Sequence, residues 1–168
     1  IPHTQGFVET AAFAEADVIR AAWVLEHVLE PGAILDKIRK ALKSKLLLTV
    51  PNDFTNIQLL AKRVKQDSWW IHRSHVNYFN LQSLTDLLRK HGLVVAQLYA
   101  TYPMEMFLLQ GEDYINNKAL GRKVHERRKW FEMAMYRSEQ GAAGLASLQR
   151  HWAKCGMGRD LVILAVKV

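Results

Sequence analysis

Cysteine is nearly absent from this sequence: Cys155 stands alone among 168 residues. One thiol excludes an internal disulfide and every multi-cysteine zinc pattern, and it suits a reducing compartment such as the cytoplasm. A buried, inert thiol is the expected state of Cys155. Glycine is equally poor in the arrangement that would bind phosphate. The nine glycines contain one Gly-x-Gly, at Gly156 and Gly158, directly before an apolar run, so it reads as a turn and leaves no glycine-rich phosphate loop. Proline is missing after Pro103, which leaves the residues that follow free to be helical. No apolar run reaches the roughly 20 residues of a membrane span, because Lys, Arg, Asp or Glu interrupts each one. The opening Ile1-Pro2-His3 carries neither Met nor a basic-then-apolar leader, and the chain is expected to continue upstream.

What is present suits one domain with a sizeable core: 49% of residues are hydrophobic and 23% charged. The net charge of +7 is uneven. Residues 1 to 36 hold six acids and one base, and the rest hold 22 bases and 10 acids. Six bases fall between Lys118 and Lys129. Such a run can track phosphates, but a solvated helix face explains it more simply.

Asp17 to Val24 is a short β-branched run expected to form a central parallel strand buried on both faces. Pro31-Gly32 opens a helix through about Lys43, with Ile34, Leu35, Ile38, Ala41 and Leu42 recurring at helical spacing. Lys45 to Val50 reads as a second buried strand, ended by Pro51. Strand, helix and strand make a right-handed βαβ unit. A helix over 56–64 and a Trp- and His-rich loop over 67–79 follow. Asn80 is placed to cap a helix with Leu84, Leu87 and Leu88 as its buried stripe, and Gly92 ends it. Leu93 to Tyr99 is a third strand, 103–155 is mostly helical, and Asp160 to Val168 is the last strand.

The passage Asp17-Val-Ile-Arg-Ala-Ala-Trp-Val-Leu-Glu-His-Val28 resembles the fourth strand and following loop of class I S-adenosylmethionine-dependent methyltransferases. Glu30-Pro31, the Leu-Leu-Leu-Thr-Val-Pro-Asn strand end at 46–52, and His75-Val-Asn-Tyr-Phe-Asn before Ser83-Leu84 are similar in order and spacing. Further on, Tyr102-Pro-Met-Glu-Met-Phe, Gly111-Glu-Asp-Tyr, Leu120-Gly-Arg-Lys-Val-His125 and Gly156-Met-Gly-Arg resemble a subgroup found in polysaccharide and cell-surface biosynthesis. The sequence departs from the family in two ways. The first strand with its glycine-rich loop, and the acid that holds the ribose, cannot be placed in it. Lys43-Ser44-Lys45 stands where Pro-Gly-Gly is common.

The resemblance implies an α/β fold: the C-terminal part of a Rossmann-like methyltransferase sheet, with parallel βαβ units ending in an antiparallel strand. It would be a single partial domain, with an α/β core over 1–102, a helical insert over 103–155 and the final strand over 156–168. It implies S-adenosyl-L-methionine as cofactor, with Ala22, Trp23, Leu25 and Glu26 at its methionine part. His27 and His75 are the candidate general bases, since an imidazole titrates near neutrality. For His27 the structural alternative is an imidazole hydrogen-bonded to a neighbouring loop, for the loop of His75 a hydrophobic plug, and for Glu26 a helix cap or a pairing with a base.

In an open parallel sheet ligands bind beyond the carboxyl ends of the strands. This makes Asn52 and Asp53 acceptor-binding candidates, or turn formers. The aromatic faces of Trp69, Trp70 and Tyr78, with His72, suit a substrate lid or a hydrophobic plug. Tyr102 could line an acceptor pocket or join the core. His72-x-x-His75 has chelating spacing, yet no Cys or second acid completes it, and no metal is expected. The expected substrate is a small molecule or glycan, handled by a cytoplasmic protein without a membrane span that could pair as a homodimer. A non-catalytic, partner-binding module is the alternative. Nucleic acid is the weakest of the three, since no RNA-binding module is recognisable.

Overall fold

The computed structural model describes residues 6–65 and 68–168. Ile1 to Gln5, Gln66 and Asp67, the first residue of the expected Trp- and His-rich loop, lie outside the described residues. Four strands form one sheet: β1 (Ala16–Ala22), β2 (Leu42–Pro51), β3 (Leu93–Ala100) and β4 (Asp160–Lys167). Helix α1 (Pro31–Ala41) joins β1 to β2, and α2 (Asn56–Lys65) and α3 (Leu81–Lys90) lie between β2 and β3. The β3 to β4 connection carries α4 (Glu105–Leu109), α5 (Lys118–Met135) and α6 (Glu139–Lys154).

The spatial order is β1-β2-β4-β3. β1 and β2 are parallel, and β4 lies antiparallel to both β2 and β3. The chain thus alternates helix and strand as expected, with its last strand antiparallel between two parallel ones. Period-two alternation explains why β4 settles there: Leu161, Ile163 and Ala165 are fully buried while Val162, Leu164 and Val166 on the other face are not. Opposite the buried set stand Val50, Leu48 and Leu46 of β2, and Ala100, Leu98 and Val95 of β3. Helices α1 and α3 complete this core with Ile34, Leu35, Ile38, Leu84 and Leu88. Each such side chain contributes about 1.5–3 kcal/mol by leaving water.

Three expectations change. β1 is an edge strand rather than a central one among the described residues, and Val18 is 57% exposed on it. Helix α1 ends at Ala41 rather than near Lys43, and β2 begins at Leu42 rather than Lys45, so Lys43-Ser44-Lys45 belongs to the strand. Between Leu42 and Lys45 β2 carries one residue more than β1 does between Ala16 and Val18, and the pairing register shifts there. Cys155 is exposed, at the C-cap of α6, because the inward positions there are taken by Trp152 and Ala153, which pack on the main core.

Asn80 does cap α3: its side chain accepts from the Ser83 amide at 2.9 Å while the Ser83 hydroxyl accepts from the Asn80 amide at 3.0 Å. Among the described residues, no helix is long and apolar enough to cross a membrane.

Candidate functional site

Because β1, β2 and β3 run parallel and β4 runs against them, three strand ends and one strand start open onto the same end of the sheet. A cleft of about 840 Å³ lies there. The loop after β1 forms one wall. Trp23 takes a left-handed backbone, φ 53°, fixed by its amide donating to the Thr49 carbonyl at 2.9 Å. This turn sends Leu25 into the core, fully buried, and Glu26 inward beneath the cleft with 1% exposure.

The loop after β2 supplies the facing wall, stapled to the first by Asn77. Its side-chain amide donates to the Leu25 carbonyl at 3.0 Å and the Val28 carbonyl at 2.6 Å. The Val76 amide donates to the Glu26 carbonyl at 2.9 Å. These bonds bring His75 edge-on to His27, with ring centroids 4.9 Å apart. His27 Nδ1 lies 2.9 Å from the Ser74 carbonyl. A carbonyl only accepts, so that nitrogen carries a hydrogen, and Nε2 is the one turned to Glu26 Oε1 at 3.9 Å.

Burial and like charge set the electrostatics. Glu26, Asp53, Glu105 and Asp160 all line the cleft, and none is more than 9% exposed. Desolvation holds the Glu26 and Glu105 carboxyls above their ordinary values. The Asp53 carboxyl is pushed up to about 7, by burial first and then by repulsion from Glu26, Asp160 and Glu105, against a lowering hydrogen bond from the Phe79 backbone. His75 is held below the usual histidine value by burial, then by His27 and His72. Arg128, Arg159 and His125 line the far side. The cleft can therefore hold protonated and ionised carboxyls side by side near neutral pH, with an uncharged imidazole above them.

Of the residues singled out from the sequence, Trp23, Glu26, His27, Asp53, Trp69, Trp70, His72 and His75 line this cleft. Five do not. Ala22 ends β1, and Leu25 is core. Asn52 holds the turn before β4, its side-chain amide donating to the Met157 and Gly158 carbonyls at 3.2 and 3.1 Å. The Tyr78 hydroxyl donates to the His72 carbonyl at 3.1 Å and so shapes the loop from behind. Tyr102 stacks on Phe107 with centroids 5.6 Å apart, in a second cluster with Met104 and Val124.

Sequence reasoning missed Asp160, Glu105, Gln58 and Arg159, all at the cleft. Asp160 ties three elements together. Its carboxylate accepts from the Thr101 hydroxyl at 3.0 Å and the Trp23 indole at 3.4 Å. An acid opening an apolar strand was the signal for it. Glu105, alone within the apolar stretch 102–109, was another.

Residues 3–98 match the family model described as a methyltransferase domain. No curated protein matches the chain. Among solved structures, an S-adenosylmethionine-dependent methyltransferase from Archaeoglobus fulgidus is similar at TM-score 0.51 and 13% identity, over 96% of this chain and 63% of that one. A Bacillus halodurans protein given the methyltransferase name on provisional grounds is similar at TM-score 0.50 and 15% identity, over 97% and 70%. The Synechocystis magnesium protoporphyrin IX methyltransferase, solved with bound S-adenosylhomocysteine, is similar at TM-score 0.49 and 11% identity, over 99% and 50%. The chain thus spans between half and about two thirds of the length of these structures.

Proposed function

Because this chain belongs to the methyltransferase domain family, we propose that the protein transfers the methyl group of S-adenosyl-L-methionine to a small-molecule or glycan acceptor held in the cleft. The observation that carries this reading is the meeting of His27 and His75, from the loops after β1 and β2, over buried carboxyls at the strand ends. Trp23 and Glu26 border the methionine part of the cofactor, on a turn held from beneath by Ala22 and Leu25. Asp53, Trp69, Trp70 and His72 face the acceptor, their aromatic faces offering a stacking surface for a sugar ring. Asn52, Tyr78 and Tyr102 support that surface from outside the cleft.

The chemistry asks little of the protein beyond alignment, water exclusion and a place for one proton. A lone pair of the acceptor attacks the methyl carbon, the carbon–sulfur bond breaks with its electrons going to sulfur, and the acceptor proton passes to His27 Nε2. That nitrogen is the free one of its ring, because the Ser74 carbonyl occupies the other. Carboxylates near the sulfonium favour the bound cation. The lone Cys155 accords with a cytoplasmic setting.

Calorimetry of the full-length protein with S-adenosylmethionine and S-adenosylhomocysteine tests the reading, and saturable binding of both is expected. His27→Ala should leave that binding intact and lower methyl transfer by about a hundredfold. Absence of cofactor binding by the folded protein would sink the proposal.

A further inference from the structure

Glu26 is a buried carboxyl without a hydrogen-bond partner among the described residues, and both of its side-chain oxygens are shielded from solvent. Leaving such a group unsatisfied costs about 1–3 kcal/mol or more. Its nearest candidate, His27 Nε2 at 3.9 Å, offers a lone pair rather than a hydrogen when that ring is uncharged, and a His75 ring nitrogen lies close by. The Nδ1 of His75 is likewise buried without a partner among the described residues. Three potential electron-pair donors thus converge on one point. One ligand atom from each of Glu26, His27 and His75 lies within 4.8 Å of the other two.

We infer that Glu26, His27 and His75 form a site for one divalent first-row transition-metal ion at the acceptor end of the cleft. Two imidazoles and a carboxylate are the donor set such ions prefer, whereas Mg²⁺ favours oxygen alone. The His27 ring is already set as a metal ligand's ring is: Nδ1–H donates to the Ser74 carbonyl, which fixes the tautomer and presents Nε2. Ligand atoms bound at about 2.1 Å in a tetrahedral or octahedral sphere lie about 3.0–3.4 Å apart, so closing the site from separations of up to 4.8 Å takes side-chain movements of about 1–2 Å. His72 stands outside it, its Nδ1 engaged with the Ser74 hydroxyl at 2.7 Å. The chelating pair is therefore not the His72-x-x-His75 of one loop but His75 joined to the Glu26-His27 dipeptide of another.

Glu26 and His75 both line the cleft, which leaves open coordination positions on the side where an acceptor sits. This consequence rests on the methyl-transfer reading; the metal site itself does not. A hydroxyl oxygen bound there would lose its proton to water more readily. Its oxygen would then attack the methyl carbon while the carbon–sulfur pair goes to sulfur. His27 Nε2, occupied by the ion, would no longer be the proton's destination. The site selects for oxygen acceptors such as sugar or phenol hydroxyls.

Chelator-treated full-length protein, titrated with Co²⁺, Zn²⁺, Mn²⁺ and Mg²⁺, tests the inference. One equivalent of Co²⁺ is expected to bind with visible ligand-field bands, displaced by Zn²⁺, and X-ray absorption of the Zn²⁺ form should show two imidazoles. Glu26→Gln and His75→Ala should each weaken binding at least about tenfold. A wild-type protein that takes up none of these ions, or an all-oxygen coordination sphere, overturns the inference without recourse to any variant. Undiminished binding in both folded variants does the same. Calorimetry with S-adenosylmethionine on the same samples separates the two proposals: cofactor binding without metal binding removes only this one, and metal binding without cofactor binding removes only the methyl-transfer reading.

Discussion

Asp53 gives the sharpest test of the electrostatics. Its carboxyl is buried at the end of β2 and pushed from 3.8 to about 7. In the unfolded chain it ionises at the ordinary value, so between about pH 4 and pH 7 the folded state binds the extra proton. Stability from this group is fully present below the unfolded value and is lost as pH rises through 7. A thousandfold difference in proton affinity sets a ceiling of about 4 kcal/mol. Repulsion from Glu26, Asp160 and Glu105 supplies part of it, and those carboxyls titrate too, so about 2 kcal/mol is expected for Asp53 alone.

Asp53→Asn keeps the shape and removes the titration. Urea denaturation should show the variant's lead over wild type growing from about pH 4, where Asp53 is still protonated in both states, to about 2 kcal/mol near pH 8. Subtracting the two curves cancels every other titrating group that the substitution leaves alone. A difference that stays flat across this range would refute the claim that burial, rather than ionisation, governs Asp53.

Two further outcomes follow from backbone geometry. Gly158→Ala should cost roughly 3 kcal/mol or more, since φ is +96° and the new Cβ would meet Ala100 Cβ at 2.5 Å and the Thr101 carbonyl oxygen at 2.6 Å; an unchanged Tm would contradict it. Asn80→Ala, which removes half of the reciprocal cap on α3, should lower the urea midpoint by an amount equal to about 1 kcal/mol without changing the slope.

How far the sequence revealed the site depended on how local each signal was. The βαβ unit, the α3 cap and the Trp- and His-rich segment announce themselves within a dozen residues, through spacing, an Asn three before a Ser, and composition. The placing of His27 beside His75 depends on Asn77 reaching two carbonyls some 50 residues away, and nothing local encodes that reach. Asp160 joined the cleft for a topological reason. Only after β4 is known to run antiparallel does its first residue, rather than its last, belong to the binding end. Val18 misled for the opposite reason: a β-branched run reads as doubly buried wherever it occurs, yet the number of neighbours is a property of the sheet. Glu26 was placed at the cofactor's methionine part without any sign that it is buried, because a charged side chain is seldom taken fully out of water. Its burial is what made the carboxylate informative.

The interleaving of β4 between β2 and β3 also has a consequence for synthesis. Of the four strands it is the last to leave the ribosome, yet the sheet has no continuity without it, since β3 meets β2 only through it. Until residues 160–167 emerge, β2 and β3 each present a bare, apolar edge to whatever else is in solution. Both edges wait while more than fifty residues of α4, α5 and α6 are made. Completion of this sheet is therefore a late, long-range event, and the nascent chain is most exposed to mispairing just before its final strand is delivered.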